Sequence, residues 1–206
     1  MKVLIVGATG RTGRELLKQT LAAGHEVTAL ARDPSKLSDV TGVRVAKGDV
    51  LEAASLSSAI AGQDAVLNAL GPTKTSPPGI RTTAVRNIVA AMKEHGVRRL
   101  VTLSAFGAGD SQGEGGFMYS KVIAKLFLKK SLADQTGSED EARNSGLDWT
   151  IVRPTRLTDG PASGSYDVIF KGGGASSKIS RADTAAFMLA QLGDQTYVGK
   201  APGITN

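Results

Sequence analysis

Apolar residues along this chain fall into short unbroken runs, separated by longer stretches where they recur at three- to four-residue spacing. Runs of the first kind are "KVLIV" at 2–6, "EVTALARD" at 26–33, "VRVAKGDV" at 43–50, "DAVLNALG" at 64–71, "RRLVTLSAFG" at 98–107 and "LDWTIVRP" at 147–154. A run without alternation reads as a strand covered on both faces, as parallel sheets require. Between them "RELLKQTLAAGH", "LEAASLSSAIAGQ" and "RTTAVRNIVAAMKEHGV" have helical spacing. In the first of these Leu16, Leu17, Thr20 and Leu21 share a face, and Gly24 marks the stop. Strands alternating with helices predict an α/β fold, a doubly wound parallel sheet with helices on both faces. One domain over residues 1–206 is expected from the length.

Two stretches break the rhythm. Residues 107–120, "GAGDSQGEGGFMYS", are glycine-rich, and residues 155–180 form a long excursion with one strand-like run, "YDVIF". Both leave the carboxyl ends of strands, where they are expected to cover a ligand. "SRAD" at 180–183 is a capping box opening "TAAFMLAQL" and reads as structural. In "SKVIAKLFLKK" the residues Lys121, Lys125 and Lys129 share one face, opposite Val122, Ile123, Leu126 and Phe127. That is an amphipathic helix with a solvated stripe.

Composition narrows the function classes. The chain has no cysteine and two histidines far apart, so thiolate chemistry, disulfides and a metal site are not expected. No apolar run is long enough to span a membrane, and a strand begins within two residues of the start, so a cytoplasmic location is expected. A net charge of +6 with 4% aromatics argues against nucleic acid and suits an anionic cofactor or substrate.

The candidate chemistry lies just after the strands, where ligands bind in such sheets. "VGATGRTG" follows the first strand and opens a helix, with Gly7, Gly10 and Gly13 three residues apart. A helix N-terminus offers unpaired N–H groups and partial positive charge to a pyrophosphate, provided nothing bulky intervenes. Thr9, Arg11 and Thr12 add donors to the same loop. The second strand ends in Arg32-Asp33, where an arginine would select the 2′-phosphate of NADPH and a carboxylate the ribose of NADH. Lys36 adds a cation, which favours NADPH with NADH as the weaker alternative. Asp49 is placed to accept from the adenine amino group, and Leu70-Gly71 permits close approach at the nicotinamide side. Ser104 follows the fifth strand and is the candidate catalytic residue, near the nicotinamide and substrate. The sixth strand ends in Arg153-Pro154-Thr155.

"GATGRTG", "ARD", "GDV", "AGQDAVLNALG", "RNIVAAMKEHGV", "LSAFG", "SGLDWTIVRPTRLTDGP" and "ISRAD" together resemble the atypical short-chain dehydrogenase/reductases with NmrA-like, Rossmann-type NAD(P)-binding folds. Among these the chain looks most like the flavin reductase (NADPH)/biliverdin reductase B group. The resemblance implies that Gly7 to Gly13, Arg32, Asp49, Val50, Leu70, Gly71, Ser104 and Pro154 line NADPH. It weakens between residues 107 and 138.

The chain departs from short-chain dehydrogenases at their Tyr-x-x-x-Lys pair, in which the ammonium lowers the phenol pKa. Tyr119 is followed at i+4 by Ile123, and Lys121 lies about 200° round a helix from it. Where that biliverdin reductase has a histidine after the final proline, this chain has Thr155. Hydride transfer to a flavin needs no tyrosine base, only stacked rings and exclusion of competing reactions. An NADPH-dependent reductase is therefore expected, with flavin as substrate rather than tightly bound cofactor, or a quinone or linear tetrapyrrole in its place. Phe106, Tyr119 and Thr155 would line that small-molecule site. The alternative is a non-catalytic NADP(H)-sensing module.

Overall fold

The computed structural model of the protein describes residues 1–111, 124–170 and 178–206. All six runs form strands: β1 (Lys2–Val6), β2 (Glu26–Ala31), β3 (Val43–Lys47), β4 (Ala65–Asn68), β5 (Arg99–Leu103) and β6 (Asp148–Pro154). Helices α1 (Arg11–Ala22), α2 (Ala53–Ile60), α3 (Ile80–Glu94), α4 (Ala124–Arg143) and α5 (Arg181–Ala190) connect or flank them. The excursion after β6 holds β7 (Arg156–Thr158), β8 (Asp167–Ile169) and β9 (Lys178–Ser180), and β10 (Gly203–Thr205) follows α5.

The main sheet runs β3-β2-β1-β4-β5-β6-β10-β8, and β7 pairs with β9 apart from it. Every pairing from β3 to β10 is parallel, and β8 closes the edge antiparallel to β10. Strand β1 shows why the runs lack alternation. Val3 and Ile5 pack with Leu16, Leu17 and Met188 on the α1/α5 face. Leu4 and Val6 pack with Leu56, Ile60 and Ile88 on the other, beneath α2 and α3. Both sets are fully buried, so no position on the strand is free to be polar.

Some elements go beyond the sequence expectation. β10, β7 and β9 are three-residue strands, too short to show a period. "DPSKL" is a turn, wound as a 3-10 helix over Pro34–Leu37. Helix α4 continues well past the basic stretch, to Arg143. Its described inner face is polar, with Gln135, Ser138 and Glu139 buried beside Ala142, so a hydrophobic pattern does not reveal it.

Order reverses at β1, whose neighbours β2 and β4 lie on either side. The loops after β1 and β4 therefore meet at the carboxyl edge of the sheet, which is where the cleft opens.

Candidate functional site

The loop after β1 is shaped by two close approaches. Gly7 has φ +83°, and a Cβ there would stand 2.8 Å from the backbone of Ala69 and Leu70 after β4. A Cβ on Gly13 would come within 2.0 Å of the Gly7 carbonyl oxygen, so α1 seats directly on the turn. Gly13 thus sets the packing of the helix and lies outside the lining of both cavities described below. Gly10 is the N-cap of α1 and supplies no side-chain cap, and the first turn holds no acidic residue. The first amides of α1 are consequently left for a ligand.

Two adjoining cavities share Gly10, Leu70, Gly71 and Thr73 and form one cleft across the strand ends. The first, about 250 Å³, is lined by Gly7, Thr9, Arg32, Lys36, Asp49 and Val50 among others. Asp33 is not in its lining, because the carboxylate caps the 3-10 turn, accepting from Ser35 N at 3.1 Å and Ser35 Oγ at 2.6 Å. The Ser35 hydroxyl bond, with smaller help from Lys36 and Lys47, holds its pKa below the ordinary carboxylate value. Exposed Arg32 has no ion pair or side-chain hydrogen bond among the described residues. The adjacent acid is committed and the arginine is not. Asp49 Oδ1 accepts from Leu51 N at 3.0 Å, while Oδ2 has no partner among the described residues.

The second cavity, about 450 Å³, is lined by Arg11, Thr12, Ser104, Pro154 and Thr155 together with Arg81, Gln135 and Arg181. Ser104 is 6% exposed, and its hydroxyl donates to Glu139 Oε1 at 2.6 Å, with Gln135 Oε1 at 3.0 Å. That one proton is directed into the protein, so towards the cavity Ser104 offers only lone pairs. Glu139 and Arg153 are 1% and 3% exposed and meet as a forked pair, Nε to Oε1 at 2.9 Å and Nη2 to Oε2. Arg153 Nη2 also donates to Asp110, which Arg143 reaches at 3.0 Å. Burial alone would lower the Arg153 pKa, but bonds to Glu139 and Asp110 outweigh it and raise the value. The Arg153 bond in turn depresses the Asp110 pKa. This network fixes the acid that orients Ser104.

Thr155 stands on the cavity wall with Oγ1 3.1 Å from Thr205 Oγ1 of β10. Phe106 departs from expectation. It is absent from the lining, because its ring packs over Gly203, where a Cβ would sit 2.8 Å from Phe106 Cδ2. Tyr119 lies outside the described residues. Gln135, Glu139, Arg153 and Arg81 were not anticipated as site residues. The available signals were an arginine inside an otherwise apolar strand, "TIVRP", and the 135/138/139/142 spacing of small and polar residues. Among the described residues no group of three or more His, Cys, Asp or Glu could hold a metal, and no helix is long and apolar enough to cross a membrane.

A family profile described as NAD(P)H-binding matches residues 7–195. The uncharacterized protein YwnB of Bacillus subtilis is 30% identical over 203 residues, covering 93% of this chain and 92% of that one. The (4-alkanoyl-5-oxo-2,5-dihydrofuran-3-yl)methyl phosphate reductase of Streptomyces griseus is 30% identical over 98% of this chain and 67% of its own length. ChuY, an anaerobilin reductase from Escherichia coli O157:H7, superimposes with a TM-score of 0.85 at 23% identity, covering 99% of this chain and 96% of that one. The profile spans the glycine loop and the strands β2 to β6, and the chain belongs to the NAD(P)H-binding family.

Proposed function

We propose that the protein is an NADPH-dependent reductase that transfers hydride to a flavin or a similar conjugated acceptor, a quinone or a biliverdin-like tetrapyrrole. The observation that carries this reading is the continuity of the cleft, from uncommitted Arg32 at one end to Ser104 at the other. The residues fit the dinucleotide. A Cβ at Gly7 would collide with backbone, and the uncapped first turn of α1 faces the junction of the two cavities at Gly10. The reductase named among the relatives supports the reaction class, and the flavin reductase resemblance supports the acceptor class.

When bound, NADPH supplies the hydride. The amides of α1, with Thr9, Arg11 and Thr12, hold the pyrophosphate, and Arg32 with Lys36 holds the 2′-phosphate. Asp49 accepts from the adenine, and Val50, Leu70, Gly71 and Pro154 shape the walls. Ser104, its proton held by Glu139, would accept a hydrogen bond from the nicotinamide carboxamide and so help to orient that end of the cofactor. Thr155 borders the acceptor, and solvent supplies the remaining proton.

The test is NADPH oxidation against FMN, FAD, riboflavin, quinones and biliverdin. Acceptor-dependent oxidation is expected, without flavin co-purifying. NADPH binding with no oxidation across the panel would instead assign the chain to a redox-sensing module.

A further inference from the structure

The second cavity has a charge pattern that hydride transfer by itself does not call for. Arg11, Arg81 and Arg181 line it, and no aspartate or glutamate does. Arg11 and Arg181 converge on the exposed carboxylate of Asp159, at 2.6 and 2.7 Å. Arg81, on the opposite, α3 side, is in a different condition. Its side chain is only 15% exposed, yet its nearest acid is committed elsewhere. Asp134 Oδ1 accepts from Thr82 N and Thr82 Oγ1, both at 3.0 Å, and Oδ2 accepts from the Arg81 backbone N at 3.2 Å. The carboxylate caps the first turn of α3.

The Arg81 guanidinium is left with Asp134 Oδ2 and Ser131 Oγ, each 3.5 Å from Nη1. Its Nε and Nη2 hydrogen-bond to none of the described residues. Burial pulls the Arg81 pKa down, and Asp134 recovers only part of that. A guanidinium removed from water without its full set of acceptors is stabilised by an anion that the ligand brings. The dinucleotide's own phosphates have donors apart from Arg81, in the uncapped turn of α1 at the junction of the two cavities and in Arg32 and Lys36, which line only the first.

Resting on the reductase reading, we propose that Arg81 anchors a phosphate or carboxylate carried by the acceptor, so that anionic conjugated acceptors are bound in preference to neutral ones with the same ring system. The fork of donors suits the two oxygens of either group. Arg181, on the α5 side, keeps the far wall positive without competing for that anion, since Asp159 already occupies it.

FMN and riboflavin share one ring system and differ by a phosphate, which makes them the probes. Their binding to the protein saturated with NADP+ is followed by flavin fluorescence, and their reduction by NADPH in parallel. Wild type is expected to bind FMN about tenfold more tightly than riboflavin, a preference that shrinks as salt is raised. Arg81→Gln should bring the two to near parity, leaving riboflavin and NADPH affinities unchanged, and Arg81→Lys should restore part of the preference. Asp134 grips the Arg81 main chain, so the helix cap survives the substitution. The salt dependence in wild type tests the idea even if the variant fails to fold. Equal affinity for the two flavins in wild type, or binding of neither, overturns it. So does a preference that persists in Arg81→Gln. Lost NADPH affinity in that variant would place Arg81 on the dinucleotide and also overturn it. Riboflavin reduced as well as FMN leaves the reductase reading standing and this inference fallen. FMN bound through Arg81 but never reduced has the reverse meaning.

Discussion

In the first cavity the ligand-facing side chains follow directly after β1, β2, β3 and β4, and its two cations are exposed. In the second, the decisive groups come from α3, from α4 and from inside β6, and the strongest of them are buried in mutual contact. Recognition at the first end is therefore separable from folding. At the second end the groups that orient Ser104 also hold α4 against β6, so function and stability are coupled there.

Removing one partner of the buried pair should give the largest effect. Glu139→Ala leaves Arg153 charged and without its forked acceptor, an arrangement expected to cost about 3–5 kcal/mol. Urea unfolding of the variant checks this. An unchanged midpoint would mean that the second end is as loosely tied as the first. Arg32→Ala should show the opposite behaviour, with an unchanged midpoint but NADPH bound about 1.5–3 kcal/mol more weakly, roughly ten- to hundredfold. Calorimetric titration should find NADH nearly unaffected. Asp33→Ala should lower the unfolding midpoint slightly through the lost cap, with little change in the affinity for either dinucleotide.

Much of the first end was legible because its chemistry and its chain order coincide. Gly7, Arg32, Asp49 and Gly71 each stand within three residues of a strand's end, and a strand covered on both faces declares itself as an apolar run. The second end was not legible for two physical reasons. The helix that supplies Gln135 and Glu139 buries polar groups, which leaves no hydrophobic stripe to read. Arg153 meets Glu139 only through tertiary packing, and nothing local announces that an arginine in a strand will find its acid on a helix. Position alone singles out Ser104, but where its hydroxyl proton goes depends on Glu139.

Ser104→Ala sharpens the contrast on a smaller scale. It should lower turnover by about tenfold while leaving NADPH affinity within about twofold, since the loss is one hydrogen bond at the reacting end. An equal loss in both would shift Ser104 from orienting the ring to general binding. The smallest effect is expected from pH at the excursion after β6. Burial acts to raise the Asp183 pKa but is outweighed by bonds from Ser163 N, Ser180 Oγ and Gly164 N, so the value is lowered. A depressed carboxylate contributes stability above its unfolded value and loses it as pH falls through the folded one. Asp183→Asn should therefore be less stable than wild type at neutral pH, with the gap closing below the ordinary carboxylate range. Thermal melts across that range measure it. The box at 180–183 thus does more than cap α5, because the same carboxylate ties residues 163 and 164 to it.

Strand β10 has a consequence for the order in which the molecule assembles. Gly203 pairs with Arg153, so joining β10 to β6 closes a span of about 50 residues and β1 meets β4 across about 62, whereas β1 finds β2 across about 24. Long spans close late, so the β1–β4 and β6–β10 seams are both expected to form after β1 has paired with β2. The single tryptophan sits beside the β6–β10 seam. The Trp149 carbonyl accepts from Gly199 N at 2.8 Å, and its ring lies 5.3 Å under the Arg143 guanidinium of α4. Its fluorescence during refolding should register the arrival of α4 and β10 after β1 and β2 have already paired. The molecule carries its own reporter of the moment when the Ser104 end of its cleft comes into being.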